Sequence, residues 1–288
     1  PAECRNLTIN SGGSLKVNAD KAFTVYGTLT NNAGDAGLIL ESGASLLTKG
    51  AVTGTATVNR SINGPKWHFV SSPVTAAVSG MFLGKYLQQF NESVNYYSDI
   101  ISTTEPLTPG KGFSLGGDVN GFSIAYSGSL NTGNITVGLT RTATGINSGW
   151  NLIGNPYPSS INWDASGWTK TNLNNALYIA SGGQWATYIS GAGTNGGTSF
   201  IAPNQGFFVG VAEVGSATLK FNNYVKSHNP TSFFKNSSTG NFIRLEVSGN
   251  GYSDEAVVRF LPEATNEFDS EYDAMKLFGY IDESAQIY

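Results

Sequence analysis

Residues 4 to about 60 carry short runs in which apolar and polar positions alternate: Leu7 and Ile9, Leu15 and Val17, Phe23 and Val25, Leu29, and Leu38 to Leu40. Clusters such as Ser11-Gly-Gly, Asn31-Asn-Ala-Gly34 and Ser42-Gly-Ala interrupt them, and this pattern predicts strands separated by turns. Ser11-Gly-Gly-Ser-Leu15 recurs 31 residues later as Ser42-Gly-Ala-Ser-Leu46. Even spacing with repeated turns predicts the rungs of a short β-solenoid over residues 1–60; an ordinary β-meander is the competing reading.

The middle of the chain is expected to be an internally duplicated, jelly-roll-like β-sandwich over 61–227, with copies at about 61–145 and 146–227. Trp67-His-Phe-Val-Ser-Ser-Pro73 matches Trp150-Asn-Leu-Ile-Gly-Asn-Pro156, 83 residues on. Leu107-Thr-Pro-Gly-Lys-Gly-Phe-Ser-Leu115 matches Ile201-Ala-Pro-Asn-Gln-Gly-Phe-Phe-Val209, 94 residues on. Each copy therefore reads as a Trp strand, a long connection, a Pro turn and a Gly-Phe strand. Proline lacks a donor, so pairing is expected to stop at Pro73 and Pro156. The matched residues Trp67, Trp150, Gly112, Phe113, Gly206 and Phe207 are expected to anchor the core. Half of the duplicated region alone gives a marginal core, which favours one sandwich over two. Ser79 to Phe90 and Leu173 to Ala176 read as short helical stretches. The glycine-rich Ser190–Thr198 segment holds most of the extra residues of the second copy and reads as a surface loop.

From 228 onward the pattern predicts the start of a further β-domain, left incomplete at 288. Phe242-Ile-Arg-Leu-Glu-Val247 alternates strictly, Asn250-Gly-Tyr-Ser-Asp254 reads as a turn, and Glu255 to Leu261 reads as the returning strand. Met275 to Ile281 is again strand-like. Strand patterns at both ends read as a segment of a longer chain.

Composition supports an all-β class. Charged residues make up 12% of the chain, against about 25% in ordinary soluble proteins, and 36 of the 288 residues are glycine. A net charge of −4 offers no basic stripe for phosphates, so nucleic acid is not an expected partner. No apolar run reaches membrane-spanning length, and no membrane insertion is expected. With Cys4 as the sole cysteine no internal disulfide forms, and Cys4 reads as a small buried hydrophobe.

Candidate chemistry is sparse. His68 lies inside the first Trp strand and His228 in a linker, and nothing places either beside a nucleophile and a carboxylate. A glycosidase needs two carboxylates about 5–9.5 Å apart. Asp99, Glu105, Asp118 and Asp164 are available, and no pattern selects a pair. No cofactor is required. The acidic run ending in Asp269, Glu271 and Asp273 offers hard oxygen ligands of the type that suits Ca²⁺, with a solvated acidic surface as the plainer reading. Trp168 and Trp185, flanked by Gly and polar residues, read as exposed rings on which a sugar would stack, against a plainer role in core packing.

Three motifs together resemble the repeated modules of large bacterial type IX-secreted cell-surface proteins. They are Gly149-Trp-Asn-Leu-Ile-Gly-Asn-Pro-Tyr-Pro158, Ala202-Pro-Asn-Gln-Gly-Phe-Phe-Val209, and Asp254-Glu-Ala-Val-Val-Arg-Phe260 followed by Phe268-Asp-Ser-Glu-Tyr-Asp-Ala274. The start at Cys4-Arg-Asn-Leu-Thr-Ile9 is similar to the same group. The resemblance implies an extracellular or cell-surface setting and a position ahead of a C-terminal sorting domain, and it transfers no catalytic residue. The resulting expectation is a non-enzymatic structural or adhesin segment that contacts copies of itself or neighbouring domains, with strand exchange into a filament as one mode. The alternative is a carbohydrate-binding module of a secreted polysaccharide-degrading enzyme, with surface glycans as partners.

Overall fold

The computed structural model describes residues 1–145, 147–181, 183–229, 241–279 and 284–288. The chain is all-β, and among the described residues the only helical elements are short 3₁₀ turns at Asp35–Gly37, Ser79–Phe82 and Glu92–Val94.

The N-terminal part coils through three parallel ladders in turn. Ala2–Cys4, Ala22–Val25 and Ser45–Thr48 form the first ladder, and Leu7–Ile9, Leu29–Asn31 and Val52–Thr53 the second. Leu15–Val17, Leu38–Leu40 and the start of Ala56–Ile62 form the third. Paired residues such as Leu7 and Leu29, or Leu15 and Leu38, stand 22 or 23 positions apart. The recurrence at 31 residues is therefore not the length of a circuit. It marks two corners of one kind that feed different ladders, since Leu15 enters the third and Leu46 the first. Ile9, Val17, Val25, Leu29, Leu40, Leu46 and Val58 point inward and are buried.

The cut expected near residue 60 falls inside a strand. Ala56–Ile62 pairs in parallel with Leu38–Leu40 on one side and antiparallel with Phe122–Gly128 on the other. One apolar cluster consequently runs from Ile9 through Phe113 to Leu130.

The two Trp motifs open two sheets with the same strand order. In the first, Trp67–Val70, Phe113–Gly116, Leu87–Asn91 and Tyr96–Asp99 follow one another. In the second the order is Trp150–Gly154, Gly206–Val211, Leu173–Ser181, Gln184–Ile189 and Ala192–Thr194. The register agrees as well: Val70 faces Phe113 and Trp67 faces Gly116, while Ile153 faces Phe207 and Trp150 faces Gly210. The stretches expected to be helical are a 3₁₀ turn plus strand in the first copy and a strand in the second, because they supply the third strand of each sheet. The glycine-rich loop also holds a strand, Ala192–Thr194, which extends the second sheet.

Where the sheets meet, each copy's Pro turn lies against the other copy's Trp strand. Lys111 bridges to Ile153, and its counterpart Gln205 bridges to Val70. Gly154 N–H donates to Gly110 C=O at 2.9 Å, and Ser71 N–H donates to Asn204 C=O at 2.9 Å. Gly110 and Asn204 both have positive φ, 83° and 59°. A β-carbon on Gly112 would stand 2.4 Å from the Ile153 carbonyl oxygen, and one on Gly206 would stand 2.8 Å from Phe69 Cβ. These matched glycines let the backbones touch. The contacts interchange about Ser71 and Gly154, where a β-carbon on Gly154 would lie 2.3 Å from Ser71 Cβ. Buried Asn131 fastens both proline motifs, its Nδ2 donating to Ser72 C=O at 2.9 Å and Pro156 C=O at 3.0 Å.

The second copy also rests on the N-terminal coil. Leu46 N–H donates to Pro158 C=O at 2.8 Å, and the His228 ring is within 2.8 Å of both Thr24 Oγ1 and Ser45 Oγ. His228 is thus a clamp rather than a free linker residue.

The C-terminal hairpin pairs Phe242–Gly249 with Tyr252–Arg259. Its turn is only Asn250 and Gly251, both at positive φ, not the longer loop expected, because an Asn-Gly pair supports the tight turn whose twist matches the strands. Met275 to Gly279, expected as a strand, joins no ladder; Tyr280 and Ile281 lie outside the described residues.

Candidate functional site: a lysine between two tryptophans and a carboxamide

The loop after Pro156 carries Trp163 into the second core, where it is 2% exposed. Its Nε1 donates to Asn175 C=O at 2.7 Å, and Trp168 Nε1 donates to Asn162 C=O at 2.8 Å. The two rings lie 4.9 Å apart at 55°. Lys170, in the strand Thr169–Thr171, lays its Nζ 3.8 Å from the Trp163 ring centre and donates to Asn175 Oδ1 at 2.5 Å. Asn175 Nδ2 in turn donates to Ser190 Oγ and Glu271 Oε1, each at 3.0 Å. Ser190 Oγ donates to Glu271 C=O at 2.7 Å. Burial pulls the Lys170 amine down to about 8, while the carboxylates of Glu271 and Asp164 act the other way. A fraction of this amine is therefore unprotonated near neutral pH, and a nucleophile stands beside a hydrogen-bonded carboxamide.

The residues expected to bind a sugar do not make a platform. Trp168 is half-buried against Trp163 and against Phe221, 5.1 Å away. Trp185 packs elsewhere, 6.0 Å from Phe69 and 5.5 Å from Phe208, with its Nε1 on Phe278 C=O at 3.0 Å. Trp168 packs against the core of Trp163 and Phe221, and Trp185 against the cluster of Trp150, Tyr178 and Phe208. Trp67 also departs from its expected role. It is 50% exposed, lying over Gly116, whereas Trp150 is 4% exposed. The Trp150 face of the second sheet is covered by the first sheet and by Met275 and Leu277, and among the described residues nothing equivalent covers Trp67. The other anchors, Phe113 and Phe207, are buried, and Pro73 and Pro156 meet at Asn131.

The three expected calcium ligands are engaged separately. Asp273 Oδ2 accepts from Asp269 N–H at 2.8 Å, Asp269 Oδ1 accepts from Glu271 N–H at 2.9 Å, and Glu271 reaches away to Asn175. Among the described residues no group of three or more potential metal ligands converges. Asp164, expected to accept backbone N–H groups, takes the Tyr188 hydroxyl. His68 meets only the Asn63 carbonyl oxygen, at 3.1 Å.

A second feature is the open groove between the copies, a cavity of about 610 Å³ whose polar lining includes Gln89, Asn91, Lys111, Thr136, Thr140 and Asn151. Lys111 Nζ donates to Gln89 Oε1 at 2.7 Å. At its end the Glu92 carboxylate accepts from Gly149 N–H at 3.0 Å, Thr142 N–H at 3.1 Å and Thr140 Oγ1 at 3.1 Å.

The family model described as Domain of unknown function (DUF8693) matches residues 1–288. The chain belongs to that family. Comparison with curated proteins and with solved structures gave no match. Lys170 and Asn175 were not singled out from the sequence, and Glu271 was read there only as a calcium ligand. The usable signal was a lysine two positions after Trp168 in a chain that is only 12% charged.

Proposed function

We propose that this chain is a non-enzymatic, secreted structural segment of a bacterial cell surface, in which a β-solenoid and an internally duplicated β-sandwich act as one stiff unit. The observation that carries this reading is the reciprocal junction. Matched turns and strands of the two copies exchange the same bridges and hydrogen bonds, and the second copy is fastened to the coil as well. Such an arrangement resists bending between its parts, which suits a spacer or an adhesin stalk. The surface setting rests on the motif resemblance to type IX-secreted proteins. The coil's first circuit leaves the outer edges of Ala2–Cys4, Leu7–Ile9 and Leu15–Val17 unpaired among the described residues, and these are the contact surface for a further copy or a neighbouring domain. Sedimentation velocity over a wide concentration range tests this contact. Reversible growth that Thr8→Lys abolishes is the expected result, and a monomer at every concentration rejects it.

A glycan-binding module is the second reading, favoured by the polar groove between the copies rather than by Trp168 and Trp185. Amides, hydroxyls, one lysine and the Glu92 carboxylate supply its polar lining, the groups that recognise sugar hydroxyls. Glycan-array binding lost in Asn151→Ala and Lys111→Ala, but retained in Trp168→Ala and Trp185→Ala, would establish it. Absence of binding to any glycan would remove it.

A further inference from the structure

We propose that Lys170 and Asn175 join through an intramolecular isopeptide bond, with Glu271 carrying the proton between the two nitrogens. Three requirements of that reaction meet here. The amine must shed its proton, and burial favours the neutral form, outweighing the Glu271 and Asp164 carboxylates, which with the Trp163 ring face favour the ammonium. The electrophile must be held still beside it. Asn175 is fixed at its backbone carbonyl by Trp163 Nε1 and at its side chain by Lys170 and Ser190. The leaving nitrogen must be protonated, and the Glu271 carboxylate already accepts from Asn175 Nδ2 at 3.0 Å. Holding amine and amide in contact replaces an encounter by a unimolecular step, an advantage of about 10⁵–10⁸ M in effective concentration when the groups are well oriented.

The step balances without a co-reactant. After the ammonium has released one proton to solvent, Lys170 Nζ attacks Asn175 Cγ. A C–N bond forms, and a second proton passes from Nζ to the Glu271 carboxylate. Glu271 returns that proton to Nδ2, the Cγ–Nδ2 bond breaks, and ammonia leaves. Nothing is oxidised or reduced, and the carboxylate is regenerated.

Lys170 lies in the strand paired with Gly215–Phe221, and Asn175 in the strand paired with Gly206–Val211, so the bond would stitch together two separate sheets. Glu271 comes from the C-terminal segment. The bond therefore forms only once that segment has docked. The inference does not depend on the scaffold reading, because its readout is a mass and not an assembly.

The test is the intact mass of the whole purified chain after incubation at mildly alkaline pH, followed by fragment mapping. The expected result is a chain lighter by one ammonia, with the Lys170 and Asn175 peptides covalently linked. Lys170→Arg and the exposed-site variant Glu271→Gln should both keep the full sequence mass while giving wild-type circular dichroism. A wild-type chain at full mass overturns the proposal. An ammonia loss that persists in Lys170→Arg also overturns it, because it marks closure of an asparagine onto its own backbone instead.

Discussion

Trp67 and Trp150 share a backbone environment and differ in what covers them, so a single residue type at matched ladder positions should have two different energetic weights. Trp150 sits edge-on to Tyr178 at 4.9 Å inside the interface between the sheets. Trp150→Ala should cost about 3–5 kcal/mol in denaturant unfolding. Trp67→Ala, on the exposed face, should cost less than about 1 kcal/mol. The junction glycines are held to a similar test. Gly112→Ala and Gly206→Ala should each lose about 1–3 kcal/mol through overpacking. Gly138→Ala, with open space where its β-carbon would go, should be nearly neutral.

Lys226 gives a pH-dependent test at the same scale. It is 6% exposed, its Nζ lies 4.2 Å from the Tyr157 ring centre and donates to Thr48 C=O at 3.3 Å. Burial, with Lys49 adding to it, pulls its amine down to about 7. The unfolded chain keeps that proton into the ordinary lysine range, whereas the folded chain sheds it near neutrality. The unfolded state thus binds more protons above pH 7, and stability rises with pH from about 7 to about 9. Lys226→Met should flatten that rise relative to wild type; an unchanged slope would assign it to other groups.

At the scale of elements, the C-terminal hairpin has no third strand among the described residues, and its docking depends on polar contacts. Arg244 pairs within the hairpin with Glu255 at 2.7 Å and donates outward to Gly193 C=O at 3.1 Å, while Glu255 accepts from Asn195 N–H at 2.6 Å. Asp254, fully buried, accepts from Asn195 Nδ2 at 2.8 Å, from Ile287 N–H at 3.0 Å and from Lys276. Burial pushes the Asp254 carboxyl upward, but the hydrogen bonds from Lys276, Asn195 and Ile287 outweigh it and hold it below its ordinary value. A depressed carboxyl stabilises the fold above about pH 4, and that contribution is lost as the pH falls further. Asp254→Asn at neutral pH should therefore lower the hydrogen-exchange protection of Tyr252–Arg259 while leaving Gly206–Val211 unchanged. Equal protection in the variant would mean that the apolar contacts alone hold the hairpin.

The elements differ in how legible they were. The Trp and Gly-Phe motifs announced paired strands because each combines a buried run with a residue that ends pairing, and the observed ladders use those residues. The third strands at Leu87–Asn91 and Leu173–Ser181 were missed because their neighbours, not their own periodicity, decide their conformation. The Asn250-Gly251 turn was legible in principle, since that pair alone specifies a two-residue hairpin. The Lys170 cluster was not. Glu271 lies 96 positions from Asn175, and only the fold brings them together.

For the whole molecule, the stiff-scaffold proposal predicts that the coil and the two Trp-motif sheets unfold as one body. A shared strand and one apolar cluster join the coil to the first sheet, and the matched contacts about Ser71 and Gly154 join the first sheet to the second. Native-state hydrogen exchange at the amides of Ser71, Gly112, Gly154 and Asn155 tests this most directly. The expected result is that these four exchange with the same free energy as the central amides of both sheets, through global unfolding only. Exchange at markedly lower free energy, with each sheet still protected, would show two copies that part freely, and the stiff scaffold would be refuted.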